Sequence, residues 1–290
     1  MKNPIIKGWY ADPEARIYNG KVYLYVTNSL PFEEQKNLAV VVSEDLERFF
    51  VIDDILDMTT FQGAKMAIWA PSVIEKSGKY YIIFSANDIK KDGQIGGLYI
   101  GVSDSPDGKF KNIFKNGQPF LNIFINGAQP IDPHFFKDGE DIYLYYGGWG
   151  HLNFAKMNDS MDGLELINEA KDKKLFLELT PKDYVEAPCM LKIKNKYCLM
   201  YSSGNWTNGT YCVKTSMGES PFGPFIEGET ILKESLLADG PGHNGVFEFN
   251  GRCYIAYHRR IKGDAVSYHR ILCVDELRIE QGKIQPVEMT

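Results

Sequence analysis

Short apolar runs recur along nearly the whole chain, each cut off by a polar or glycine-bearing turn. Lys21 to Thr27 reads KVYLYVT, Lys79 to Ser85 KYYIIFS, Asp141 to Tyr146 DIYLYY, Lys196 to Ser202 KYCLMYS and Arg252 to His258 RCYIAYH. Their length, their aromatic and β-branched content and the alternation of apolar with polar residues predict strands. Further strands are expected at Leu38 to Ser43, Gly97 to Ser103, His151 to Met157, Thr210 to Thr215 and Ala265 to Cys273. Helical periodicity is nearly absent; the stretch 163–178 has room for about one turn.

The runs fall into a repeat. Asp12-Pro13, Ala70-Pro71, Asp132-Pro133, Ala187-Pro188 and His243-Asn244 each open a unit, and Tyr23, Tyr81, Tyr143, Cys198 and Tyr254 follow eleven residues later. Successive starts are 58, 62, 55 and 56 residues apart (12 to 70, 70 to 132, 132 to 187, 187 to 243). Gly20, Gly78, Asn195 and Gly251 mark hairpin turns, with Gly139 in the third unit. A strand-rich repeat of this length is the signature of a radial array. The expected fold is all-β: a five-bladed β-propeller with four antiparallel strands per blade, spanning 1–290 as a single domain.

Composition narrows the partners. Net charge is -6 and the sequence pI about 5.5, which argues against a phosphate-backbone partner, so no nucleic acid is expected. No apolar run is long enough to span a bilayer, so no membrane partner is expected. The five cysteines form no CxxC pair and share no ligand-like spacing with histidine, so zinc is not expected. Met1 to Tyr10 lacks a leader-like apolar core. A cytoplasmic location is expected of the chain as it stands, and a periplasmic or secreted one if an export signal has been removed.

The repeat also gathers chemistry. Equivalent strand starts in a radial array all face one axis, and carboxylates stand at or beside three of them: Asp12, Asp132 and, one place before Ala187, Glu186. An Asp before Pro, taken alone, is a common turn former; three carboxylates at or beside one register are a constellation. Units 3 and 4 are neighbours, so Asp132 and Glu186 are expected side by side, with Asp12 facing them. Paired carboxylates resist joint ionisation, so one of the two holds a proton near neutral pH. Glu186, with the longer reach and higher reference pKa, is the better acid, and the isolated Asp12 remains ionised as a base. An acid and a base across a gap suit glycosidic hydrolysis, with inversion if the gap is about 6.5 to 9.5 Å.

Tyr10-Ala11-Asp12-Pro13, Trp69-Ala70-Pro71-Ser72, Ile131-Asp132-Pro133, Glu186-Ala187-Pro188 and Gly240-Pro241-Gly242-His243-Asn244 resemble the successive blade motifs of glycoside hydrolase family 43. The resemblance covers nearly the whole chain, one motif per blade and in order. It implies a five-bladed propeller, an inverting mechanism and substrates containing xylose or arabinose, as oligosaccharide or polysaccharide. It implies Asp12 as general base, Glu186 as general acid and Asp132 as the residue that tunes and orients the acid. His243 shares the Asp12 register; in the family such a histidine organises water near the channel centre or, in some members, binds calcium. A structural calcium near His243 is therefore allowed for, although no dense set of oxygen ligands accompanies it and no cofactor is required.

Other residues are candidates for substrate contact. Trp69 sits one place before the register, as Glu186 does, and packs either on a sugar face or on the core. Trp149, in Gly147-Gly148-Trp149-Gly150, and Trp206 in the matching loop of unit 4 are either subsite walls or rim residues. Family members often place an arginine at the end of the second strand of unit 5 against substrate hydroxyls; of Arg259 and Arg260, strand alternation turns one inward, and Arg259 is the choice. Phe32 and Asn28 follow the second strand of unit 1 and can approach the pocket. Competing readings are a non-catalytic carbohydrate-binding or protein-interaction propeller, a related retaining fructosidase and a glycoside phosphorylase. The chain lacks the Asn-Asp-Pro-Asn-Gly run associated with fructosidases.

Overall fold

The computed structural model describes residues 2–168 and 173–290. Five sheets stand around a central axis. Their inner strands are Tyr10–Tyr18, Trp69–Lys76, His134–Asp138, Glu186–Ile193 and Ala238–Phe249. Each contacts the next, and the fifth returns to the first, so the ring is closed. Second strands (Lys21–Asn28, Lys79–Ala86, Asp141–Tyr146, Lys196–Ser203, Arg252–Ile261) and third strands (Leu38–Ser43, Gly97–Ser103, Asn153–Met157, Cys212–Gly218, Ile271–Glu276) follow outward by antiparallel pairing. The inner hairpins of blades 1, 2 and 5 turn on Asn19-Gly20, Ser77-Gly78 and Asn250-Gly251, where both residues have positive φ. That conformation matches the twist of the flanking strands, and glycine adopts it without a Cβ clash.

Four strands per blade hold for blades 1, 2 and 4. Blade 3 has two short outer pieces, Leu164–Glu165 and Leu177–Glu178, both paired with its third strand. They lie within the stretch that had room for a helical turn; its described residues contain no helix, and residues 169–172 are outside the described residues. Blade 5 has three strands. The place beside its third strand is taken by the N-terminal segment: Ile5 N–H donates to Leu272 O at 3.1 Å and Tyr10 N–H to Arg270 O at 2.8 Å. The Asn3 amide clasps Val274, donating to its carbonyl at 3.1 Å and accepting its N–H at 2.9 Å. The third strand of blade 5 also begins later than expected, at Ile271, because turns at Asp264 and His269 occupy the preceding residues.

Five apolar cores lie between the blades. Along the second strand of blade 1, Tyr23 and Tyr25 pack towards blade 2, while Val22, Leu24 and Val26 pack towards blade 5. The other seams repeat this: Ile83 with Phe135 and Leu144, Phe154 with Leu199 and Tyr201, Met200 with Ile255 and Tyr257. Because each blade is covered on both faces, its second strand is apolar at consecutive positions. This is why those runs read KVYLYVT and KYYIIFS instead of alternating strictly.

Each inner strand is kinked at the same register. Asp12, Ala70, Asp132, Ala187 and His243 all adopt the left-handed conformation, with φ of 54°, 48°, 51°, 60° and 45°. In blades 1, 2, 4 and 5 the pairing with the second strand skips there, as in a β-bulge. Bulges re-aim side chains, and this one brings the register residue or its predecessor to the axis.

Candidate active site

One pocket opens where the five kinks converge, and it encloses about 400 Å³ counted out to its mouth. Asp12 and His243 reach it from the register position, Trp69 and Glu186 from the position before, and blade 3 contributes both Ile131 and Asp132. Phe32, Trp206 and Arg270 complete the lining. The structure therefore brings together Asp12, Asp132, Glu186, Trp69, His243, Phe32 and Trp206 from the sequence-based set.

The backbone at the kinks is held by side chains from the neighbouring blade. Ala70 N–H donates to Thr27 Oγ1 at 2.8 Å, His243 N–H to Ser202 Oγ at 2.9 Å and Asp12 N–H to His258 Nδ1 at 3.2 Å. Thr27, Ser202 and His258 each lie four residues beyond the repeat position of the second strand, at 23, 198 and 254. Between blades 3 and 4 the arrangement differs: the Ala187 N–H donates to the Asp132 carboxylate. Asp132 thereby anchors the backbone next to Glu186.

Asp12 is held by a guanidinium and flanked by two imidazoles. Arg270 Nη1 donates to Asp12 Oδ1 at 2.9 Å, and its Nε donates to Ser29 Oγ at 2.8 Å. His243 Nδ1 lies 3.4 Å from Asp12 Oδ1 and 3.6 Å from Asp132 Oδ2. Burial works to raise the Asp12 carboxyl, but Arg270, then His243 and His258, outweigh it and hold it far below the usual carboxylate range. His258 is pushed down to about 4, first by burial, and stays neutral, as its acceptance of the Asp12 N–H requires. Burial also lowers His243.

The facing pair behaves in the opposite way. Burial, then the charges of Glu186 and Asp12, push Asp132 well above the usual range. Glu186 is also raised, by burial first and by Asp12 as well, against the pull of a Tyr211 hydrogen bond and of Arg270. Two coupled carboxyls that both resist ionisation share a proton near neutral pH. The pocket therefore sets an ionised carboxylate beside a pair that holds a proton.

Aromatic rings form the walls. Phe32 meets Trp69 edge-on at 4.9 Å between centroids and Trp206 at 6.2 Å, and the Arg270 guanidinium lies over Trp206 at 5.3 Å. The Trp69 indole N–H donates to Gln35 Oε1, so its polar edge is already partnered.

Three sequence-based candidates lie elsewhere. Arg259 does not reach the pocket: it is buried and donates to Thr290 O at 2.8 Å. Strand parity explains this, because its neighbour His258 occupies the inward register shared with Thr27 and Ser202. Trp149 is outside the pocket lining; it is 49 % exposed on the rim, with Phe124 at 5.1 Å and the Lys90 ammonium at 5.9 Å. Asn28 donates to Asn37 O and is also outside the lining. Arg270, Tyr211 and His258 were missed. Arg270 stands just before a third strand, where the units share no motif; His258 was legible as the fourth residue after Tyr254. Among the described residues no group of three or more His, Cys, Asp or Glu side chains is arranged to hold a metal. Near His243 the Asp12 carboxylate is already committed to Arg270, so these residues do not fit a calcium ion.

The family described as Glycosyl hydrolases family 43 matches residues 1–284. Beta-D-galactofuranosidase xynD of Aspergillus niger is 35% identical, with 99% of this chain and 85% of that protein covered. A beta-xylosidase of Xylanibacter ruminicola is 27% identical, with 97% of each covered. Among solved structures, a GH43 beta-xylosidase/alpha-arabinofuranosidase from a compost metagenome, in complex with xylotriose, superposes with a TM-score of 0.78 at 25% identity, covering 99% of this chain and 96% of that one.

Proposed function

The chain belongs to glycosyl hydrolases family 43, and from that premise we propose that it is an inverting glycosidase that releases β-xylosyl or α-L-arabinofuranosyl units from xylan or arabinan oligosaccharides. The observation that carries this reading is the opposite electrostatic bias of carboxyls lining one pocket: Asp12 driven down, Asp132 and Glu186 driven up.

In this mechanism Glu186 donates its proton to the glycosidic oxygen as the bond to the anomeric carbon breaks. Asp12 takes a proton from the water that attacks the opposite face. One bond to oxygen forms and one breaks, and the sugar leaves with inverted configuration. Asp12 ends protonated and Glu186 ionised, and exchange with solvent resets both. Arg270 keeps Asp12 ionised and offers its remaining nitrogen to a sugar hydroxyl. Trp69 and Phe32 supply an apolar face for the ring. Asp132 sustains the proton on Glu186 and fixes its backbone.

A second substrate reading has its own support, the 35% identity to the Aspergillus niger protein named as a β-D-galactofuranosidase. A β-D-galactofuranosyl ring has the ring stereochemistry of an α-L-arabinofuranosyl ring and differs by a longer side chain at C4. The same acid and base serve both, and space at the C4 end decides. The test is a panel of p-nitrophenyl β-xyloside, α-L-arabinofuranoside and β-D-galactofuranoside, with the product anomer followed by proton NMR. Turnover with inversion, lost in Asp12→Asn, supports the proposal, and the preferred glycoside names the sugar. Retention of configuration overturns it, as does full turnover by Asp12→Asn.

A further inference from the structure

Tyr211 is a buried phenol beside Glu186 that the mechanism above leaves unused. It is 1 % exposed, and its O–H donates to Glu186 Oε1 at 2.8 Å. Its ring is fixed from two sides. It lies nearly parallel to the His258 imidazole, with centroids 5.9 Å apart and planes 11° apart. It also runs against Gly242, where an added Cβ would stand 2.2 Å from the ring. Glycine at 242, inside the blade 5 motif, is what lets the phenol reach the acid.

Ser202, whose Oγ accepts the His243 N–H at 2.9 Å, stands beside the phenol, and Tyr211 donates to Glu186 Oε1. Oε1 of Glu186 is therefore occupied as an acceptor, and a proton on this carboxyl is carried by Oε2.

We infer that Tyr211 is the positioning residue of the acid: it pins Oε1 of Glu186 so that the transferable proton sits on Oε2. This rests on Glu186 being the acid. The charged and titratable groups around Glu186 are Asp12 from blade 1, Asp132 from blade 3, Tyr184 and Tyr211 from blade 4, and Arg270 from blade 5. Burial first and then Asp12 oppose the ionised form of Glu186, and Tyr211 and Arg270 favour it. Removing the phenol hydroxyl therefore raises the acid's pKa and frees its rotation.

Tyr211→Phe keeps the ring, its stack and its contact with Gly242. The expected result is an alkaline limb of the kcat/KM profile moved up by about one pH unit, the size of one charge-assisted hydrogen bond. With it comes a loss in kcat of about tenfold or more on an alkyl glycoside, whose leaving group needs the proton, and a much smaller loss on a 2,4-dinitrophenyl glycoside. An unmoved limb, or equal losses on both substrates, overturns the inference. If Tyr211→Phe melts at assay temperature, Gly242→Ala takes its place, because the added Cβ pushes the phenol away from Glu186: an upward shift of the limb supports the inference and no shift overturns it. Glu186→Gln separates the two levels. If the dinitrophenyl substrate does not rescue that variant, the acid assignment fails and the Tyr211 role with it. If it does, a failed Tyr211→Phe test removes only the positioning role.

Discussion

Asp12 and Asp132 are the same residue type at the same register and φ, yet their neighbours drive them apart. One faces a guanidinium and two imidazoles, the other a second carboxyl. The consequence for rate is direct: Asp12→Asn and Glu186→Gln are each expected to lower kcat by about 10² to 10⁴. An activated leaving group restores Glu186→Gln in part and leaves Asp12→Asn unchanged, which steady-state kinetics on the two substrate classes will check. The consequence for stability runs the other way. A carboxyl whose folded pKa is raised contributes stability below its unfolded pKa, and that contribution is lost as pH rises towards the folded value. The Asp132–Glu186 pair therefore weighs against the fold at neutral pH. Asp132→Asn, which keeps an oxygen for the Ala187 N–H, is expected to raise stability at pH 7 by roughly 1 to 3 kcal/mol and to change little at pH 4. Urea unfolding at the two pH values measures this, and a destabilised variant at pH 7 contradicts it.

At the scale of the element, the kinked inner strand is the unit that makes the site. Two of the five left-handed positions are alanine, and left-handed backbone costs an L-residue roughly 1 to 2 kcal/mol. Ala187→Gly is expected to be close to neutral. Ala187→Val, with a branched Cβ, is expected to cost about 2 kcal/mol or more and to lower kcat by moving Glu186; thermal melts and kinetics on the pair of variants decide. This kink also explains what the sequence made legible. Asp, Ala and His recur at one register because each unit needs a residue that tolerates positive φ beside a hairpin of fixed length, and so the carboxylates were found with their blades. Arg259 was misplaced because parity was counted within one strand, whereas the inward register, set by Thr27 and Ser202, falls on His258. Arg270 sits just before a third strand, where the units differ, so no repeat could point to it, whereas Trp206 was legible from its place after the second strand of unit 4.

At the scale of the molecule, the five inter-blade cores carry the stability and the seam between blades 5 and 1 closes the ring. Leu24 is fully buried in that seam, and Leu24→Ala is expected to cost about 3 kcal/mol in denaturant unfolding. The role of the N-terminal segment in blade 5 was not legible, because residues 3–10 carry too short a pattern to be assigned to a strand partner some 260 residues away. The seam also joins the base to its guanidinium, since Asp12 lies on blade 1 and Arg270 on blade 5. A chain emerging from the ribosome thus presents the base 258 residues before the guanidinium that partners it. During synthesis the base stays unpartnered, and catalysis can begin only after blade 5 emerges and the ring shuts.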